Sequence, residues 1–140
     1  MSDFTFLLPV FVQVALTFVL LMRMGMMRTA AIRRGAVKIR DIALGQPAWP
    51  DEIAKAARSF HNQLETPTLF YAWAAFTLIT HKMDWLGLAL AWAFVAARVA
   101  HALVHGTSNY VPHRFQIFLA SFALLIAMWA LLFVKLAAGI

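Results

Sequence analysis

The sequence predicts an all-α fold, an integral membrane bundle of four antiparallel helices, and three observations predict it. First, 63% of the 140 residues are hydrophobic and 13% are charged, about half the charged fraction of a soluble domain. One small chain cannot bury that much apolar surface internally, so lipid must cover it. Second, the apolar residues gather in runs long enough to cross a bilayer; residues 115–134 carry no charge at all. Third, the basic residues cluster beside these runs rather than spreading over a surface. The chain length suits one transmembrane domain, 1–140.

The first span is expected at about 4–27. Residues 4–22 are uncharged, with Pro9 near the start, where membrane helices tolerate proline. The opening Met1-Ser2-Asp3 has no basic stretch and no Ala-x-Ala cleavage site follows, so the run reads as a retained span and not a signal peptide. A basic stretch comes next, with Arg23, Arg28, Arg33, Arg34, Lys38 and Arg40. It ends in Gln46-Pro47-Ala48-Trp49-Pro50-Asp51-Glu52, where a proline followed by two acids reads as a helix start. The second helix is expected at 52–80, amphipathic at first and inside the membrane from about Asn62. The short turn His81-Lys82-Met83-Asp84 makes the third span, 85–106, its antiparallel neighbour. Gly106-Thr107-Ser108-Asn109 is a second turn, and the fourth span is expected at 112–136. Trp49, Trp85 and Tyr110 fall near span ends, as interfacial anchors do.

Ten of the twelve lysines and arginines fall on one side of this arrangement; only Lys82 and Lys135 fall on the other. The positive-inside rule then places the long loop and the turn after span three in the cytoplasm, and both termini outside it. Anionic lipid and orientation therefore account for the net charge of +6, and no nucleic-acid partner is expected. There is no cysteine, so any thiol chemistry must come from a bound cofactor or substrate.

Two helices carry ionisable residues on one face. Arg58, His61, Asn62 and Glu65 lie at offsets of three, four and seven on helix two. Arg98, His101 and His105 lie at offsets of three and seven on helix three. Such stripes are tolerated only against protein or water. Glu65 sits inside an apolar stretch just before Thr66-Pro67, and a carboxylate there needs a cation or it neutralises; Arg98 and Arg58 are the expected partners. The alternative for the whole stripe is a polar network that fixes helix register. The spacing of His101 and His105 would suit metal or haem, but no matching histidine stripe faces it, and no metal site is expected. Arg114 follows Pro112 and His113 at the start of the last span, and no acid occurs after Asp84. It needs lipid phosphate, solvent or a bound anion.

The segments Arg58-Ser59-Phe60-His61-Asn62-Gln63-Leu64-Glu65-Thr66-Pro67 and Arg98-Val99-Ala100-His101, the latter with Arg114 beyond the turn, resemble the family of membrane-associated proteins in eicosanoid and glutathione metabolism. The first has the family's Asn-x-x-Glu core followed by proline, and the second its Arg-x-x-His with a later arginine. Length and span pattern agree, so the resemblance covers nearly the whole chain, and it is nearest to small bacterial members of an inner membrane. It implies a homotrimer that binds glutathione between neighbouring protomers near the cytoplasmic face. It assigns Arg58, Asn62, Glu65 and His101 to binding, with His61, Arg98 and His105 beside them, and Arg114 to stabilising the thiolate. Three positions depart from prostaglandin-type members: His61 replaces arginine, His105 tyrosine, and Phe115 serine. The function implied is a glutathione-dependent transferase or peroxidase acting on lipophilic small molecules. The competing function is a non-catalytic lipid- or fatty-acid-binding scaffold.

Overall fold

A computed structural model describes residues 1–45, 48–108 and 110–139. Gln46 and Pro47 of the expected pre-helix loop and Asn109 of the second expected turn lie outside these described residues. Within them the ordered elements are all helical.

Helix α1, Asp3–Arg33, starts where the Ser2 side chain accepts a hydrogen bond from the Thr5 N–H at 3.2 Å, with Asp3 in the first turn favouring the positive helix end. Its 31 residues rise about 46 Å, well beyond an apolar slab of about 30 Å. It buries a narrow seam: Phe6, Pro9, Gln13, Leu20, Met24 and Ala31. Steps of three, four and seven put these on one stripe, as in a coiled-coil seam. Phe4, Phe11, Phe18, Val19 and Met22 point outward, as lipid-facing residues do.

Past the seam the chain builds a small cap. A single turn, α2 (Ile39–Ile42), and helix α3 (Asp51–His61) return along α1. As the sequence indicates, Pro50 and the acids Asp51 and Glu52 open α3. Ala31, Val37 and Ile53 form the cap's buried cluster, with Met27, Ile42 and Trp49 against it. Trp49, an expected interfacial anchor, is half-buried, with the Arg28 guanidinium 4.9 Å from its ring centre, a cation–π contact within the cap.

The expected continuous helix over 52–80 is broken. After α3 comes a 3-10 turn at Asn62–Leu64, then Glu65 at φ −89°, ψ −98°, then helix α4, Thr66–Ile79. Pro67 is the cause: it has no N–H for the helical ladder, and its ring displaces the carbonyl four residues back. In α4 it occupies the first turn, where no donor is needed. Thr68 repairs the junction, its N–H donating to Glu65 O at 3.1 Å and its hydroxyl to Leu64 O at 2.7 Å. The 14 residues of α4 rise only about 21 Å. Three helices, Asp3–Arg33, Trp85–Gly106 and Val111–Ala138, are long and apolar enough to cross a membrane by themselves.

Helix α5, Trp85–Gly106, is capped by Asp84, which accepts from the Gly87 N–H at 2.8 Å. Helix α6, Val111–Ala138, ends on Gly139, whose φ of +70° is the left-handed cap that glycine adopts freely. Lys135 ties α6 to the α4–α5 turn through Asp84 at 2.6 Å and Lys82 O at 3.2 Å. Burial pulls the Asp84 carboxyl up, but the Lys135 and Gly87 hydrogen bonds and the Lys135 charge outweigh it and hold the group below the ordinary range.

The core lies between α1, α4, α5 and α6: Phe6, Phe70, Trp73, Phe94, Val95, Leu125, Met128 and Leu132. Phe70 stacks on Phe94 with centroids 4.8 Å apart, and the Trp73 indole N–H donates to Met128 O at 2.9 Å. That last bond satisfies a polar tip in an otherwise apolar layer. α1 and α5 run one way, α4 and α6 the other, so the Lys135 end and the Arg114 end of the bundle are chemically distinct.

Candidate functional site

The helical repeat of α5 brings Arg98, His101 and His105 onto one face, and all three are buried. That face meets protein, as its polarity requires. From the other side the first two turns of α6 supply Val111, Arg114, Phe115 and Phe118. The break after α3 supplies Asn62 and Glu65. Asn62, Glu65, His101, His105, Val111, Arg114, Phe115 and Phe118 line one cavity of about 250 Å³.

Asn62 is the hinge of the polar side. One nitrogen of Arg98, Nη2, donates to Asn62 O at 2.9 Å and also to the Asn62 side-chain carbonyl. The Asn62 amide then donates to Glu65 Oε2 at 3.4 Å. The expected Glu65–arginine ion pair is therefore corrected. Glu65 is exposed and, among the described residues, has no cation within 4.0 Å; it meets Arg98 through Asn62 and through the longer-range field. The helix break explains this. It turns residue 65 out of the face that an unbroken helix would share with residues 58, 61 and 62.

Several buried polar atoms around this cavity carry no hydrogen bond among the described residues: Arg98 Nε and Nη1, His101 Nδ1, and both ring nitrogens of His105. Such groups are costly unless a ligand or water satisfies them. The two imidazoles stand edge to face at 5.7 Å, and His101 lies 6.1 Å from the Phe118 ring. Arg114 is half-buried, within electrostatic reach of both histidines. Arg58 is exposed and does not line the cavity, though its charge reaches His105. His61 is also exposed and packs on Phe60 at 5.6 Å, outside the cavity. Of the eight residues singled out from sequence, five therefore line the cavity, Arg98 backs it, and Arg58 and His61 stand apart.

Among the described residues no three histidine, aspartate or glutamate side chains are placed to hold a metal ion. A longer groove of about 700 Å³ runs along α1 from Met22 to Arg34, but none of its lining residues is buried. The convergence of buried polar groups singles out the smaller cavity.

Sequence reasoning missed a second polar contact at the break. Gln13 and Gln63, both fully buried, bond to each other at 2.9 Å. The signal was present as a single amide inside the uncharged run of α1.

A family model described as the MAPEG family matches residues 6–134. No curated protein and no solved structure matches the chain significantly.

Proposed function

We propose, because this chain belongs to the MAPEG family, that this multi-pass membrane protein binds glutathione in the cavity between the α3–α4 break, α5 and α6. It then presents the thiolate to a lipophilic electrophile or peroxide. The observation that carries this reading is the group of buried polar atoms of Arg98, His101 and His105 that lack a partner among the described residues, set opposite one exposed carboxylate, Glu65. Glutathione has two carboxylates and one ammonium, which that charge pattern complements.

In this reading Asn62, held from behind by Arg98, binds the peptide end, and Glu65 receives the ammonium. Arg114 faces the sulfur. A guanidinium beside a thiol favours the thiolate, so the proton leaves to solvent at neutral pH and the sulfur becomes the nucleophile. Phe115, Phe118 and Val111 form the apolar wall along which a lipid-soluble partner would arrive. The cavity of about 250 Å³ is below the roughly 300–1,000 Å³ that encloses a small ligand. One chain then supplies only part of the wall, which supports the homotrimer implied by the resemblance. Four crossings, with α3 and α4 together making the second, and both termini outside the cytoplasm of a bacterial inner membrane complete the proposal.

The second reading is a scaffold that binds a fatty acid or lipid. The observation favouring it is the apolar side chain of Phe115 directly beside Arg114, which suits a carboxylate with an acyl tail. Titration calorimetry of glutathione into detergent-purified protein separates the two. Saturable binding supports the first reading. No heat with glutathione, together with saturable binding of oleate, would establish the second.

A further inference from the structure

Asn62 meets Arg98 because the broken segment is rotated in one particular way. Asn62 lies in a single 3-10 turn flanked by Glu65 in a non-helical conformation. The α3 ladder reaches as far as Asn62, whose N–H donates to Arg58 O, and Thr68 ties α4 back to Leu64 and Glu65. The side-chain anchor that fastens the turn to α1 is the next residue, Gln63. Successive residues of a 3-10 turn point about 120° apart, so a side chain at 63 pinned toward α1 leaves the one at 62 toward α5.

Gln63 is pinned in that way. Its Oε1 accepts from Gln13 Nε2 at 2.9 Å, and its own amide nitrogen reaches Ser59 O at 3.5 Å. Gln13 is 0% exposed and Gln63 1%, so water does not compete for the bond. Gln13 sits on the α1 seam, seven residues from both Phe6 and Leu20, where the neighbouring buried positions are apolar. The pair is incompletely satisfied: among the described residues, Gln13 Oε1 and the nearby Ser59 hydroxyl have no partner. A leucine at 13 would pack this seam without stranding a carbonyl. A single polar residue at such a position usually costs stability and specifies register.

We infer that Gln13 is a positioning residue for the cavity on the far side of the break: through Gln63 it sets the rotation that presents Asn62 to Arg98 and Glu65 to the ligand. This rests on the proposed glutathione site for its ligand, but not for its geometry.

The experiment uses full-length protein with Gln13→Leu, Gln63→Leu and the double variant. It reads thermal stability, glutathione affinity by calorimetry, and amide hydrogen exchange across residues 59–68. Each single variant strands one buried amide and should melt lower than wild type. The double variant removes both amides and should melt at or above wild type, yet bind glutathione about ten-fold more weakly, with exchange at 62–66 about ten-fold faster and unchanged elsewhere. A purely structural pair would make affinity follow stability, so a double variant with wild-type affinity and wild-type exchange overturns the inference. If wild type takes up no glutathione, the proposed function fails. Exchange then decides alone: faster exchange confined to 62–66 supports the positioning role, and unchanged exchange refutes it.

Discussion

Arg98→Met should leave the fold intact while abolishing ligand binding. Arg98 is fully buried, and among the described residues it has no carboxylate within 4.0 Å. Nη2 serves both oxygens of Asn62, and among the described residues Nε and Nη1 serve none. Placing a cation there costs several kcal/mol after relaxation. Two charged hydrogen bonds, one from each Nη2 hydrogen, return about 1.5–3 kcal/mol each. Methionine fills similar length without charge and adapts its shape. The difference should therefore lie near neutral, within about 2 kcal/mol either way. Asn62→Ala should lower stability. It keeps the buried guanidinium and removes an acceptor, with an expected loss of about 1.5–3 kcal/mol. Both are measured by denaturant titration in mixed micelles, with glutathione calorimetry alongside. Destabilisation by Arg98→Met of more than about 2 kcal/mol would refute the reasoning. It would show that the fold itself, and not a ligand, compensates the charge.

Three further outcomes follow from the same geometry. Arg114→Ala should leave glutathione affinity nearly unchanged but slow conjugation of a lipophilic electrophile about ten-fold or more, with Arg114→Lys rescuing only in part; equal turnover in Arg114→Ala and wild type would favour the scaffold. Asp84 has its carboxyl held below the ordinary range, so its pair with Lys135 stabilises above the unfolded value of about 3.9 and is lost as pH falls through the lower folded value. Asp84→Asn keeps the cap but not the charge, and should cost under about 1 kcal/mol at pH 7 because the side chain is 40% exposed; a melting difference that persists below pH 3 would contradict this. Reporters fused to the C-terminus should be active only outside the cytoplasm, and native mass spectrometry should give a trimer. Cytoplasm-only activity overturns the orientation, and a stable monomer overturns the assembly.

The three long helices were legible because lipid imposes long uncharged runs, and the runs at 4–22 and 115–134 leave little room for another reading. The face of α5 was legible for a similar reason: Arg98, His101 and His105 keep the helical period, and only one side of a membrane helix can carry them. The break was not read correctly. Thr66-Pro67 signals either a new helix start or a tolerated kink, and hydropathy across 62–80 does not distinguish them. That ambiguity also misplaced Glu65, since a continuous helix would have aimed it at arginine instead of past Asn62. Gln13 was hidden because a single amide scarcely changes the average over 31 apolar-rich residues.

The shortness of α4 bears on how the chain is made. At 14 residues it is a poor candidate for integration as it leaves the ribosome, and the segment before it carries Asp51, Glu52, Lys55, Arg58 and Glu65. The residues just behind it are different: α5 begins only a few positions after Ile79 and is long enough to span. On the proposed four-crossing topology, α4 is secured as one arm of a helical hairpin, after α5 has been synthesised. The same delay applies to the break, because the donor for Asn62 O is Arg98, which lies on α5. Nascent chains stalled before residue 98 should therefore leave α4 accessible to glycosylation or cysteine-labelling probes, and chains released after Gly106 should not.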